Sequence, residues 1–278
     1  MKTVTSLSGG RTSSYMALNF PTDYNIFSLV RIEDIRCKPK DTGIIKYVES
    51  KINADFIATA ESDLTLYVLR QLEQDLGKEI VWVTGDTFEQ IVRNSNKKGN
   101  YLPNRRKRFC TQFMKLEPIF WWCYLNIFED ETDSVEMNIG YRFDEPKRVT
   151  DDIFKFNKST KNFGKRFRNW EEIEWRDSIM PLRKAGVDNL MVKSFFAKKK
   201  EYTFPIYSNC VGCFNKKEIE LQEQFTYEPG KMRWFNDMEI LTGSRFNMHI
   251  SLEDIKNKKY TDDQIQSMIE FPVCNCSD

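Results

Sequence analysis

The sequence predicts an α/β fold, a parallel twisted sheet with helices on both faces, joined to a helical C-terminal part that carries cysteines. Three observations predict it. Short β-branched and aromatic runs alternate with helix-length segments through the first half of the chain. A glycine- and hydroxyl-rich stretch, Ser8-Gly9-Gly10-Arg11-Thr12-Ser13-Ser14, lies where the first strand-like run gives way to the first helical one. After Tyr141 the alternation stops, and the chain becomes basic and aromatic, then helical.

The elements follow in order. Residues 3–7 read as a strand and 14–18 as the start of a helix. A strand is expected over 24–32, a helix over 40–52, a strand over 55–59, a helix over 65–76 and a strand over 79–83. The apolar segment 115–128 predicts a helix and 134–140 a buried strand. Residues 155–168 are basic and aromatic without a clean period, which reads as a mobile loop rather than a nucleic-acid-binding surface. Helices are expected near 189–199 and 216–225, with short ones towards the end. No internal repeat is visible, so the layout expected is a core over 1–150 and a C-terminal extension over 151–278 packed on it.

Composition narrows the function. The chain has 278 residues, and 42 Lys and Arg against 41 Asp and Glu leave a net charge of +1, so any polyanionic partner must be met by a local patch. No apolar stretch is long enough to span a bilayer and none follows Lys2, which predicts a cytoplasmic protein without a membrane partner. The seven cysteines are odd in number, and in a reducing compartment they argue against a disulfide framework. His249 is the only histidine, which removes a Ser-His-Asp triad and any multi-histidine metal site and leaves a structural role.

Residues 8–14 admit two readings. The first is a tight turn with a helix cap. The second is a phosphate cradle, because glycines before a helix expose backbone N–H groups at the positive end of its dipole. The segment lacks the G-x-x-x-x-G-K-[ST] pattern of a Walker A loop. Elsewhere, Cys210-x-x-Cys213 suits a metal or a redox pair. Cys110 and Cys274-x-Cys276 bring further thiols, whereas Cys123 reads as a core residue and Cys37 as a free thiol.

Four stretches then line up: SGGRTSS (8–14), LPNRRKRFCTQFMKLEP (102–118), IGYRFDEPKRV (139–149) and FPIYSNCVGCF (204–214). In order and spacing they resemble the phosphoadenosine-phosphosulfate (PAPS) reductase family of the PP-loop, adenine nucleotide alpha hydrolase-like superfamily, and most of all its divergent phage and bacterial members. The resemblance implies the matching fold and a phosphate-binding loop of Ser8, Gly9, Gly10, Arg11, Thr12 and Ser13. Thr12 stands where the PP-loop pattern S-G-G-x-D-S has its aspartate. Arg108, in the run Arg105–Arg106–Lys107–Arg108, becomes a candidate phosphate clamp, and Lys115 matches the family's cysteine-to-lysine spacing. Arg142, Asp144 and Glu145 become candidate catalytic residues after a strand, the carboxylates as Mg²⁺ ligands.

By the same resemblance, Cys110, Cys210 and Cys213, with Cys274 or Cys276, imply a [4Fe–4S] cluster, Zn²⁺ being the alternative. The activity implied is that of an ATP pyrophosphatase that adenylates an acceptor and passes sulfur to it. The alternatives are a sulfonucleotide reductase acting on PAPS or APS, whose usual E-C-G tail is absent here, and a non-catalytic nucleotide-binding protein. The acceptor stays open between tRNA, DNA and a small molecule, as does assembly into a homo-oligomer.

Overall fold

Five short strands pair side by side, all parallel: β1 (Thr3–Leu7), β2 (Tyr24–Ser28), β5 (Ile80–Val83), β6 (Val135–Asn138) and β9 (Arg176–Ile179). The computed structural model describes residues 1–53, 55–94, 101–130, 132–145, 158–162, 170–261 and 264. Across the sheet the order is β5-β2-β1-β6-β9. The register sets Ser6 beside Ile26 and Val4 beside Met137.

The strands are apolar on both sides because both sides are covered. Leu7, Phe27, Ile80 and Trp82 join one core with helices α1 (Arg11–Asn19), α2 (Thr42–Ile52) and α3 (Asp63–Leu76). Val4, Ile26, Val135 and Met137 join another with Ile119, Phe120 and Cys123 of helix α6 (Glu117–Asn126). Side chains alternate across a strand, so Ile26 and Phe27 necessarily serve opposite faces. Each such side chain, once fully buried, contributes about 1.5–3 kcal/mol. Cys123 is fully buried, the core position expected of it.

A third core lies beyond the sheet. It gathers Ala60, Met114, Val211, Phe214 and Phe235 with helices α9 (Glu218–Tyr227), α10 (Pro229–Thr242) and α11 (Leu252–Asn257). The C-terminal segments thereby pack against loops from the first half of the chain. Between these lie the short helix α7 (Pro181–Lys184) and α8 (Asn189–Ala197), which packs on α1.

Several elements depart from expectation. The strand expected over 24–32 leaves the sheet after Ser28, and β3 (Arg31–Ile32) turns to pair antiparallel with β4 (Ala58–Thr59). The helix expected from residue 115 is already wound upstream, as α5 (Phe109–Thr111) and a π-turn, Gln112–Leu116, before α6. Pro118 explains part of this. It has no N–H for the carbonyl of Met114, and the Ser28 hydroxyl donates to that carbonyl instead, at 2.8 Å.

Within the segment read as a mobile loop, β7 (Lys158–Asn162) pairs antiparallel with β8 (Trp170–Glu174), which follows it. Pairing between distant residues leaves no period in a five-residue strand. The fifth sheet strand, Arg176–Ile179, was not expected, and through it the sheet draws on residues from both sides of position 150. The expected division at 150 lies outside the described residues, as do Cys274 and Cys276. Among the described residues no helix is long and apolar enough to cross a membrane.

Candidate active site at the switch point and a half-buried thiol cluster

The strand order places β1 and β6 side by side while the chain progresses outward from them in opposite directions. In an open parallel sheet this reversal leaves a crevice beyond the strands' carboxyl ends. Ser8–Gly10 follows β1 there, and Ile139–Glu145 follows β6.

The first loop is held by its own hydroxyls. Ser13 Oγ accepts from the Ser8 N–H at 3.2 Å, donates to the Gly10 carbonyl at 3.2 Å and lies 3.0 Å from Ser8 Oγ. Gly9 has φ +69°, and a Cβ there would fall 2.4 Å from Thr65 Cγ2 on α3. Gly10 is the N-cap of α1 and brings no side chain to its first turn, so that turn's amides keep the positive end of the helix dipole uncovered.

The second loop abuts the first. A Cβ on Gly140 would stand 3.6 Å from Thr12 Cγ2 and 3.9 Å from the Ser13 nitrogen. Arg142 Nη1 donates to Thr12 Oγ1 at 3.0 Å. Its Nε pairs with Asp144 Oδ1 at 3.0 Å and its Nη2 with Glu145 Oε1 at 3.3 Å. Glu145 Oε2 also accepts from the Arg142 backbone N–H at 3.1 Å. Thus Thr12, Arg142, Asp144 and Glu145 form one network, its Thr12–Arg142 bond joining residues 130 apart in sequence. Arg11 sets its guanidinium 5.0 Å from the centre of the Phe204 ring.

Phe204 begins the segment that joins this crevice to the thiols. Ser208 Cβ lies 3.8 Å from where a Gly10 Cβ would be, and the Val211 N–H donates to the Ala60 carbonyl at 2.8 Å. The Cys210–Cys213 turn is built locally. Asn209 takes φ +69°, and the Cys213 N–H donates to the Cys210 carbonyl at 3.1 Å. Phe235 covers Gly212 so closely that a Cβ would fall 2.3 Å from its ring. Lys216 is 2 % exposed, and its ammonium donates to the carbonyls of Ser208 at 2.8 Å and Cys210 at 2.6 Å. Burial pulls its pKa below the usual lysine range.

Cys110, Cys210 and Cys213 come together here, close enough to act on one another's ionisation. Burial, with Cys213 nearby, pushes the Cys110 thiol up to about 11. Burial, and then the Glu61 carboxylate, raises Cys210 well above its ordinary value. Cys210 Sγ lies 3.9 Å from Glu61 Oε1 as its donor. Glu61 is 3 % exposed, and burial raises its pKa against the opposing pull of Lys115. Its Oε2 accepts from the Val30 N–H at 3.3 Å and from the Thr59 hydroxyl.

Lys115 therefore lies on the thiol side, within electrostatic reach of Glu61, Cys110 and Cys210. Arg108 is the half-buried N-cap of α5, two residues before Cys110 in the same short helix. Among the described residues no three His, Cys, Asp or Glu side chains are arranged as ligands of one metal ion. The donor chemistry of three thiols suits iron–sulfur or zinc, but their arrangement here is not that of a closed metal site.

Glu61 and Lys216 are buried ionisable groups beside the thiols and were not singled out in the sequence. Glu61 did leave a signal, an acid at the end of a strand-like run directly before the helix cap Ser62. Lys216 left none. No protein-family model matches the sequence, and no curated protein is similar to it.

Proposed function

We propose that the chain is a PP-loop-type enzyme that binds ATP at the β1–β6 switch point, splits it between the α and β phosphates and transfers the adenylyl group to an acceptor. In that reaction the acceptor's nucleophilic atom bonds to the α-phosphorus, the α–β bridging bond breaks, and pyrophosphate leaves with the electron pair. The observation that carries the reading is the 3.0 Å hydrogen bond from Arg142 to Thr12, which joins the two loops flanking the crevice.

The residues' work is positioning and charge neutralisation. The uncapped first turn of α1 and the Ser8–Gly10 backbone would take phosphate oxygens. Arg142 would exchange its carboxylate partners for phosphate and offset the charge that develops on the leaving pyrophosphate. Asp144 and Glu145 are oxygen donors of the kind Mg²⁺ takes, and a bound Mg²⁺ would supply further charge neutralisation between them and the phosphates. No step in this reading runs through the thiol cluster.

The test is pyrophosphate release from ATP, with and without tRNA, DNA and small nucleophiles as acceptors. Arg142→Gln is expected to slow turnover by about 10²–10³-fold, the usual consequence of losing one preorganised charge-stabilising donor. ATP binding without pyrophosphate release under every acceptor would leave a nucleotide-binding protein. Thr12 favours that second reading, since its hydroxyl is engaged by Arg142 where the PP-loop pattern has a carboxylate. Release of sulfite from PAPS or APS would replace both readings with the reductase.

A further inference from the structure

Phe143 stands between Arg142 and Asp144 in the loop after β6, and it is 60 % exposed. Among the described residues it is the only exposed phenylalanine, in a chain that has 21. It belongs to none of the three apolar cores. Packing therefore does not account for a large aromatic ring in a turn otherwise made of charged residues.

The turn itself is held in place. The Phe143 N–H donates to the Val187 carbonyl at 2.9 Å, and the Glu145 N–H to the Arg142 carbonyl at 3.3 Å. Val187 closes the loop that follows β9, residues 180–187, where its own N–H donates to the Leu182 carbonyl at 2.8 Å. The two loops leave neighbouring parallel strands, and the Ile139 N–H joins them at the strand ends by donating to the Ile179 carbonyl at 2.8 Å. Phe143 thus stands on the β9 side of the crevice, one residue from the guanidinium that bonds Thr12.

The loop after β9 carries uncommitted cations. Lys184 is exposed and forms no ion pair with a described residue. Arg183 Nη1 is buried and has no hydrogen-bond partner. A buried donor left open carries a desolvation cost that an anionic ligand removes. An aromatic ring held in water beside such cations has the two parts of a single-strand nucleotide site, a face for the base and positive charge for the backbone.

We propose that Phe143 is the platform on which the acceptor presents an unpaired nucleobase, with Arg183 and Lys184 taking the phosphates that flank it. Calling this nucleotide the acceptor rests on the adenylyl-transfer reading; the base platform itself does not. Stacking covers the ring that the fold leaves exposed, and it holds the base at the edge of the crevice, where an acceptor must stand to meet the α-phosphorus. Every base has a π-face, so the platform is indifferent to sequence.

Fluorescence anisotropy on the full chain tests it with short labelled strands of oligouridylate and oligothymidylate and with an abasic deoxyribose-phosphate strand of the same length. Phe143→Ala should weaken the base-bearing strands by about fivefold or more, the loss of one base–aromatic stack. Phe143→Trp should retain their affinity. The abasic strand should bind the wild type and Phe143→Ala equally weakly. Arg183→Gln with Lys184→Gln should weaken all three strands alike. Tighter binding of oligouridylate assigns the base to RNA, tighter binding of oligothymidylate to DNA, and competition by uridine 5′-monophosphate at the strands' own affinity to a free nucleotide. Equal strand affinity in the wild type and Phe143→Ala would overturn the proposal. So would the absence of strand binding, or a loss in Phe143→Trp as large as in the alanine variant. Calorimetry with ATP separates the two readings. A loss of ATP affinity in Phe143→Ala equal to the loss of strand affinity would assign the ring to ATP and overturn the proposal. Strand binding that depends on Phe143 in a chain that binds no ATP would count against the adenylyl-transfer reading alone.

Discussion

Gly9 and Gly10 are neighbours in the same loop, yet the structure asks different things of them. Gly9 is left-handed at φ +69° and touches Thr65, whereas Gly10 sits at φ −88° with only ordinary contacts, 3.5 Å to Ser8 Oγ and 3.8 Å to Ser208 Cβ. Gly9→Ala is therefore expected to cost about 1–3 kcal/mol of stability, and Gly10→Ala about 0.5 kcal/mol or less. Urea unfolding of the two variants checks this, and equal losses would contradict the geometry. The buried thiols make a second contrast. Burial pushes Cys37 and Cys123 each up to about 12, so almost none of either is thiolate at neutral pH. Iodoacetamide at pH 8 should leave both unmodified in the native protein and label both in urea, as mass spectrometry of tryptic peptides would report.

Elements are tied to one another by single polar side chains. Ser28, at the end of β2, satisfies the Met114 carbonyl that Pro118 leaves open, and so anchors the π-turn that carries Lys115. Ser28→Ala should cost about 1–3 kcal/mol, the penalty of an unsatisfied buried carbonyl, against a far smaller cost for Ser28→Thr if the hydroxyl is kept. Denaturant titration of the two variants reads the difference. Glu239 does similar work at the end of α10. Its carboxylate accepts from the Phe246 N–H at 2.8 Å and the Leu252 N–H at 2.7 Å, and burial raises its pKa above the ordinary 4.5. A carboxyl raised in the folded state favours folding most below pH 4.5 and loses that contribution as pH climbs through the folded value. The stability of the wild type relative to Glu239→Gln should therefore fall as pH is raised from about 4 to 7. A constant difference over that range would show that the carboxyl is not perturbed.

At the scale of the whole molecule, three half-buried thiols more than 100 residues apart at their widest share one neighbourhood with the buried Glu61 and Lys216. If they hold one metal centre, Cys110→Ala, Cys210→Ala and Cys213→Ala should each abolish the same iron or zinc content in anaerobically purified protein. Retention of full metal by any one of the three would break the shared centre. Much of this plan was legible in the sequence. Strand and helix alternate with their own periods, so the sheet with helices on both faces followed from the pattern of apolar residues. Gly9 and Gly10, the two hydroxyls beside them and the C-x-x-C spacing are local chemistry, and local chemistry survives in a string of letters. What only the tertiary structure decided are the pairings between distant segments. The position of Arg176–Ile179 at the sheet edge, the bond from Arg142 to Thr12, the Ser28 hydroxyl under Met114 and Glu61 beside Cys210 all join residues whose separation along the chain says nothing of their distance in space. Such contacts are made when apolar faces are buried against one another, and the partner each polar group then meets is set by that packing rather than by its neighbours in sequence.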